Sequence, residues 1–131
     1  MVDIKIDKAD WTDFLDWLTR QLVGGSAEID VLSLDIGAQI EARSLPLLGL
    51  VYDRKSDVIE IALEGLDHLI NRPRELTATE GDAGFQSIQI VDEDDVRQII
   101  KLNQPLALPS PVANGPPAWK REPAKGKVGR A

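Results

Sequence analysis

The stretch DIGAQIEARSLPLLGLVYDRKSDVIEIALEGLDHLINRPRELTATEGDAGFQSIQIVDEDDVRQIIKL, Asp35 to Leu102, decides the fold. Apolar runs, Gly/Asp turns and alternating charges follow one another there almost without a break, the pattern of short antiparallel strands. Asp35-Ile36-Gly37 turns an incoming strand, Ile29 to Leu34, into one that begins near Gln39. Gln39, Glu41 and Arg43 alternate with Ile40 and Ala42, so one face of that strand is polar and the other enters the core. Proline cannot donate to a ladder, so Leu45-Pro46-Leu47 reads as a bulge, a sharp bend or an edge. Beyond it Leu48, Leu50 and Tyr52 resume one long bent strand.

The polar turn Asp53 to Asp57 leads to a strand over Val58, Ile59, Ile61 and Leu63, with Glu60 and Glu64 facing outward. Leu66 to Arg74 is the least regular part. His68-Leu69-Ile70 reads as a short edge strand and Asn71 to Arg74 as a turn, the loop best suited to a functional role. Leu76 to Thr79, then Phe85 with Ile88 and Ile90, then Val96, Ile99, Ile100 and Leu102 add three strands. Their turns are Gly81 to Gly84 and the acidic Asp92-Glu93-Asp94-Asp95, which completes a β meander of about six strands.

Upstream, Asp7 to Val23 predicts an amphipathic helix, because Trp11, Phe14, Leu15, Leu18 and Leu22 form one apolar stripe. Asp7 or Asp10 caps it, and Gly24-Gly25 stops it. Trp17 lies off the stripe by about a third of a turn, and the preference of Trp for burial makes it a widening of the core face. Downstream, Asn103 to Ala131 holds six of the eight prolines and almost no apolar period. Without core burial to offset an ordering entropy of roughly 1–2 kcal/mol per residue, the chain beyond Pro109 is expected to be disordered. The expected architecture is α+β: one domain over residues 1–108, its N-terminal helix packed on a strongly curved antiparallel meander, small and barrel-like. A Pro-rich basic tail over 109–131 follows it.

The net charge of −7 conceals an asymmetry. From Asn103 onward the chain carries +4, which leaves −11 on the first 102 residues. So acidic a body repels phosphate backbones and anionic membranes, and nucleic-acid binding would have to come from the tail. The apolar run Leu45 to Tyr52 falls far short of a membrane span of about 20 residues. Asp3, Asp7 and Asp10 near the N-terminus do not suit a signal peptide, so a cytoplasmic protein is expected. The absence of cysteine agrees and excludes a disulfide framework and thiolate chemistry.

The segments Asp35-Ile36-Gly37-Ala38-Gln39, Glu41-Ala42-Arg43 and Leu45-Pro46-Leu47, with Gly49 and Tyr52-Asp53, carry a resemblance. So do Glu64 to Ile70, Pro73-Arg74-Glu75 and Ser87 to Asp92. Together, in this order, they are similar to a bacterial domain family of unknown function, over about Trp11 to Leu108. The resemblance implies a small bacterial stand-alone protein with no assigned activity. It brings no catalytic residue with it and leaves the basic tail outside.

Several constellations can be weighed on chemistry. His68, after Asp67 and near Arg72 and Arg74, offers a general acid or base with an anion-holding pair. No nucleophile motif accompanies it, and a structural histidine is the plainer reading. Glu41 and Arg43 share one side of a strand and could make a binding patch with Glu60 or Arg74, or simply a cross-strand ion pair. Asp92 to Asp95 lacks the spacing of a calcium-binding loop, and with one histidine and no cysteine neither metal nor cofactor is expected. In the tail Trp119, Lys120 and Arg121 could anchor a partner.

The reading that results is a non-enzymatic protein-interaction or binding module, with the Pro46 strand as an edge open to a partner or to self-association. Its binding surface would include Glu41, Arg43, His68, Arg72 and Arg74. The alternatives are a small-molecule binder or weak hydrolase around His68, and nucleic-acid binding through the tail.

Overall fold

The computed structural model describes residues 2–22, 25–33, 37–82 and 84–106, the side chains of residues 2, 38, 40–43 and 104–106 excepted. The basic segment with Trp119, Lys120 and Arg121 therefore lies outside the described residues, as does most of the turn at Asp35.

The chain runs β1 (Val2–Lys5), a 3-10 turn (Lys8–Asp10), α1 (Trp11–Leu22), β2 (Ser26–Ser33), β3 (Gly37–Asp53) and β4 (Val58–Leu63). It continues as β5 (Leu66–Asn71), β6 (Pro73–Gly81), β7 (Gly84–Asp92) and β8 (Arg97–Leu106). The expected α+β class holds, with eight strands in place of six. Two additions account for the count: β1, whose short Val-Asp-Ile-Lys alternation went unread, and β5, a full strand of six residues.

The sheet order is β1-β6-β7-β8-β2-β3-β4-β5, every pairing antiparallel. It consists of two meanders, β2 to β5 and β6 to β8, joined where β8 returns to pair with β2. Among the described residues no ladder joins β1 to β5, so the expected barrel is not closed by hydrogen bonds. The curvature is nonetheless strong. Nε2 of His68 on β5 donates to Oε1 of Gln98 on β8, although β4, β3 and β2 lie between those strands in the sheet. Arg72, at φ 50°, is the single residue between β5 and β6.

Pro46 is not on an edge. β3 is flanked by β2 and β4, and Pro46 sits where it passes from one partner to the other: Ser26 pairs with Pro46, and Leu47 with Leu63. The missing N–H thus falls at a handover, while the Pro46 carbonyl accepts Glu64 N–H at 2.9 Å.

Beyond the handover β3 has lost β2, and α1 takes its place. Thr19 Oγ1 accepts Leu50 N–H at 2.9 Å and lies 2.9 Å from Leu50 O and 2.8 Å from Leu15 O, one of which takes its proton. A helix side chain so replaces a ladder partner and leaves no buried polar backbone group bare. The apolar face of α1, Trp11, Phe14, Leu15, Leu18 and Leu22, is buried against the sheet, and Trp17 at 4% exposure widens it as expected. Asp7 is extended and makes no side-chain cap to the 3-10 turn; its carbonyl accepts Asp10 N–H.

Candidate functional surface

Three of the residues singled out in the sequence meet along one seam. His68 donates to Gln98, Arg72 pairs with Glu93, and Arg74 pairs with Asp95 at 2.5 Å. All three partners fall between Glu93 and Gln98, in the turn after β7 and the first residues of β8. The acidic turn therefore serves as counter-charge to the two arginines. Asp92 shapes it by accepting Asp94 N–H at 2.8 Å and Val96 N–H at 3.1 Å. Among the described residues no group of three or more His, Asp or Glu side chains could hold a metal ion. Gln98 is only 7% exposed, so His68 satisfies a buried amide.

Glu41 and Arg43 stand on the first half of β3, opposite β2. Their side chains are not among those described. Glu60 pairs with Val51, in the second half of β3, and β6, which carries Arg74, does not pair with β3. The pairings thus set Glu41 and Arg43 beside β2, and Glu60 beside the second half of β3.

At the end of the sheet where the β3–β4 turn meets the β5–β6 junction, Lys8 Nζ lies 3.2 Å from Asp57 and 5.2 Å from the centre of the Trp11 ring. Tyr52 donates its hydroxyl to Asp57 at 2.6 Å and meets Trp11 edge to face at 5.2 Å. Burial, with the Asp57 carboxylate beside it, pushes the Tyr52 phenol up to about 12. The bond from Tyr52 and the nearby Lys8 hold Asp57 below the usual carboxylate range. The apolar cleft between α1 and the sheet, lined by Leu18, Leu22, Leu50, Phe85 and Ile100, leaves only about 10 Å³. An open depression beside Tyr52 is lined by Asp13, Val51, Asp53, Arg54 and Glu60. None of His68, Arg72 and Arg74 lines either one.

A different surface stands out. β3, β4 and β5 turn Ile59, Ile61, Leu63 and Ile70 inward. Outward they present Val51, Glu60 and Leu69 side by side across the three strands, and Ala62 opposite Asp67 in the next row. Leu48, Val51 and Leu69 are 60%, 54% and 53% exposed. Asp67 is the diagonal neighbour of Glu60 on this face, and the closeness of the second acid raises the Glu60 pKa. Alternation in β4 marks Glu60 as outward from sequence, but its neighbours across the strands follow only from the register. β5 is also an end of the sheet.

Among the described residues no helix is long and apolar enough to cross a membrane. A family model described as "Family of unknown function (DUF5335)" matches residues 2–111, so the match takes in β1 as well as the segments whose resemblance began near Trp11. An "Uncharacterized protein" of Aquifex aeolicus (strain VF5) is 37% identical over 105 residues, 79% of this chain and 95% of its own length. No solved structure matches the chain. From β1 to the end of β8, and excluding the basic segment after it, the chain thus belongs to the family of unknown function DUF5335.

Proposed function

We propose that the protein is a non-enzymatic interaction module that self-associates through the edge of β5. One observation carries this reading: the two ends of the sheet differ in protection. β1 is four residues long and carries Asp3 and Lys5 on its exposed positions, the usual defence of an edge. β5 is six residues long and exposes Leu69 at its middle, between Asp67 and Asn71. Two such edges related by a two-fold axis extend one sheet into the other and satisfy backbone groups of both. The edge lies at β5 rather than at Pro46, because β3 is enclosed by its neighbours.

Sedimentation velocity of the full chain over a wide concentration range tests the proposal. A monomer–dimer equilibrium in the native protein that is lost in Leu69→Lys is the expected result. A native protein that stays monomeric throughout, or a variant that associates as the native protein does, would refute it.

A further inference from the structure

The outward face of β3–β4–β5 combines features that belong to a covered surface. Leu48, Val51 and Leu69 are more than half exposed, and Glu60 and Asp67 stand among them as diagonal neighbours across β4 and β5. Among the described residues no cation pairs with either acid. Asp13 and Asp53 line the adjoining depression with Arg54 as its one basic residue. We propose that this face docks the basic segment Trp119 to Arg130 of the same chain, with Trp119 against Val51 and Leu69 and with Lys120 and Arg121 on Glu60 and Asp67.

Charge, chemistry and reach support that occupant. The segment from Asn103 onward carries +4 against −11 on the rest of the chain. Two acids forced together repel, and a guanidinium or ammonium placed between them turns the repulsion into a shared, charge-assisted contact. A tryptophan beside two cations matches a face that alternates aliphatic and acidic groups, since the ring covers the aliphatic patch while the cations reach the rim. Trp119 lies thirteen positions beyond Leu106, the end of β8, with twelve residues between them. Extended, they span up to about 45 Å, more than the roughly 35 Å diameter expected of a body of some 100 residues. The segment also lies beyond residue 111, where the family match ends, so its docking would belong to this chain and not to the family. The inference goes beyond the edge pairing of β5 and does not depend on it.

The chain contains no cysteine, so Ala118→Cys places a nitroxide label at one site beside Trp119. Amide NMR of the full-length labelled chain, at a concentration where sedimentation shows monomer, reads which residues the label broadens. The expected result is several-fold stronger broadening at Val51, Glu60, Ala62 and Leu69 than at Thr77 and Gln89 on β6 and β7. It should vanish near 1 M salt, where screening acts over about 3 Å, and in the double variant Glu60→Gln, Asp67→Asn. Uniform broadening, a maximum elsewhere, or persistence in the double variant would overturn the proposal. So would equal broadening in a mixture of labelled and isotope-enriched unlabelled chains, which would place the segment on a second copy.

Discussion

Replacing Thr19 by valine is the sharpest test of how β3 is held after it leaves β2. The change keeps the shape of the side chain and substitutes a methyl group for Oγ1, which accepts Leu50 N–H at 2.9 Å. Leu50 is 1% exposed, so water cannot replace the lost acceptor. A buried donor left without a partner costs about 1–3 kcal/mol. The valine methyl groups remain near Gly49, where the Thr19 Cγ2 atom already sits close to the strand. With about 2 kcal/mol lost, the melting temperature should fall by roughly 8–16 °C for a domain of this size. Thr19→Ser is the control: it keeps the hydroxyl and loses one methyl, about 0.8 kcal/mol. Urea unfolding followed by the fluorescence of buried Trp11 and Trp17 measures both. A valine variant as stable as the serine variant would refute the idea that the helix hydroxyl stands in for a strand.

Two further expectations concern the seam and the corner. His68→Leu should cost about 1–3 kcal/mol, because it strips the donor from the buried Gln98 amide, whereas Arg74→Ala, which breaks a pair with side chains 48% and 65% exposed, should cost clearly less; urea unfolding that ranks them the other way removes the structural role given to His68. Tyr52 has a folded pKa of about 12 against an ordinary 10.0, so the stability it contributes is fully present below pH 10 and is lost as the pH rises toward 12. Tyr52→Phe should flatten that alkaline decline in a pH series of unfolding curves, and an unchanged decline would show that another group titrates. Asp57 shifts in the opposite direction, so its contribution is present above the ordinary carboxylate range and is lost as the pH falls through its lowered folded value.

Much of the architecture was legible because it follows from local periods. The stripe Trp11, Phe14, Leu15, Leu18, Leu22 placed the helix, and Trp17 proved buried for the reason its type suggested. Alternation in β4 separated Ile59, Ile61 and Leu63 from Glu60 before any neighbour was known. The misreadings share a cause. β1 is too short for its period to stand out, and it gains its ladder only by meeting β6, more than seventy residues later. Pro46 was open to reading as an edge because a missing N–H is compatible with an edge and with a handover alike; only the pairings of Ser26 and Leu63 on either side decide.

The candidate surface shows the same division. His68, Arg72 and Arg74 are close in sequence, which offered an acid or base with an anion-holding pair beside the plainer structural histidine. The fold brings Gln98, Glu93 and Asp95 to them along one seam, and no local pattern names those partners. No local pattern predicts that Val51, Glu60 and Leu69 stand in one row, since each lies on a different strand.

By itself the sequence determined which residues of the helix and of strands such as β4 face inward, where most turns fall, and how charge divides between an acidic body and a basic C-terminal segment. These are properties of neighbouring residues and of totals, and they need no partner to exist. Only the tertiary structure decided which strands lie side by side, which strands end the sheet among the described residues, and that two acids become diagonal neighbours on an exposed apolar face. Those outcomes depend on register and strand order, where a slip of one residue exchanges the two faces while leaving every local pattern intact.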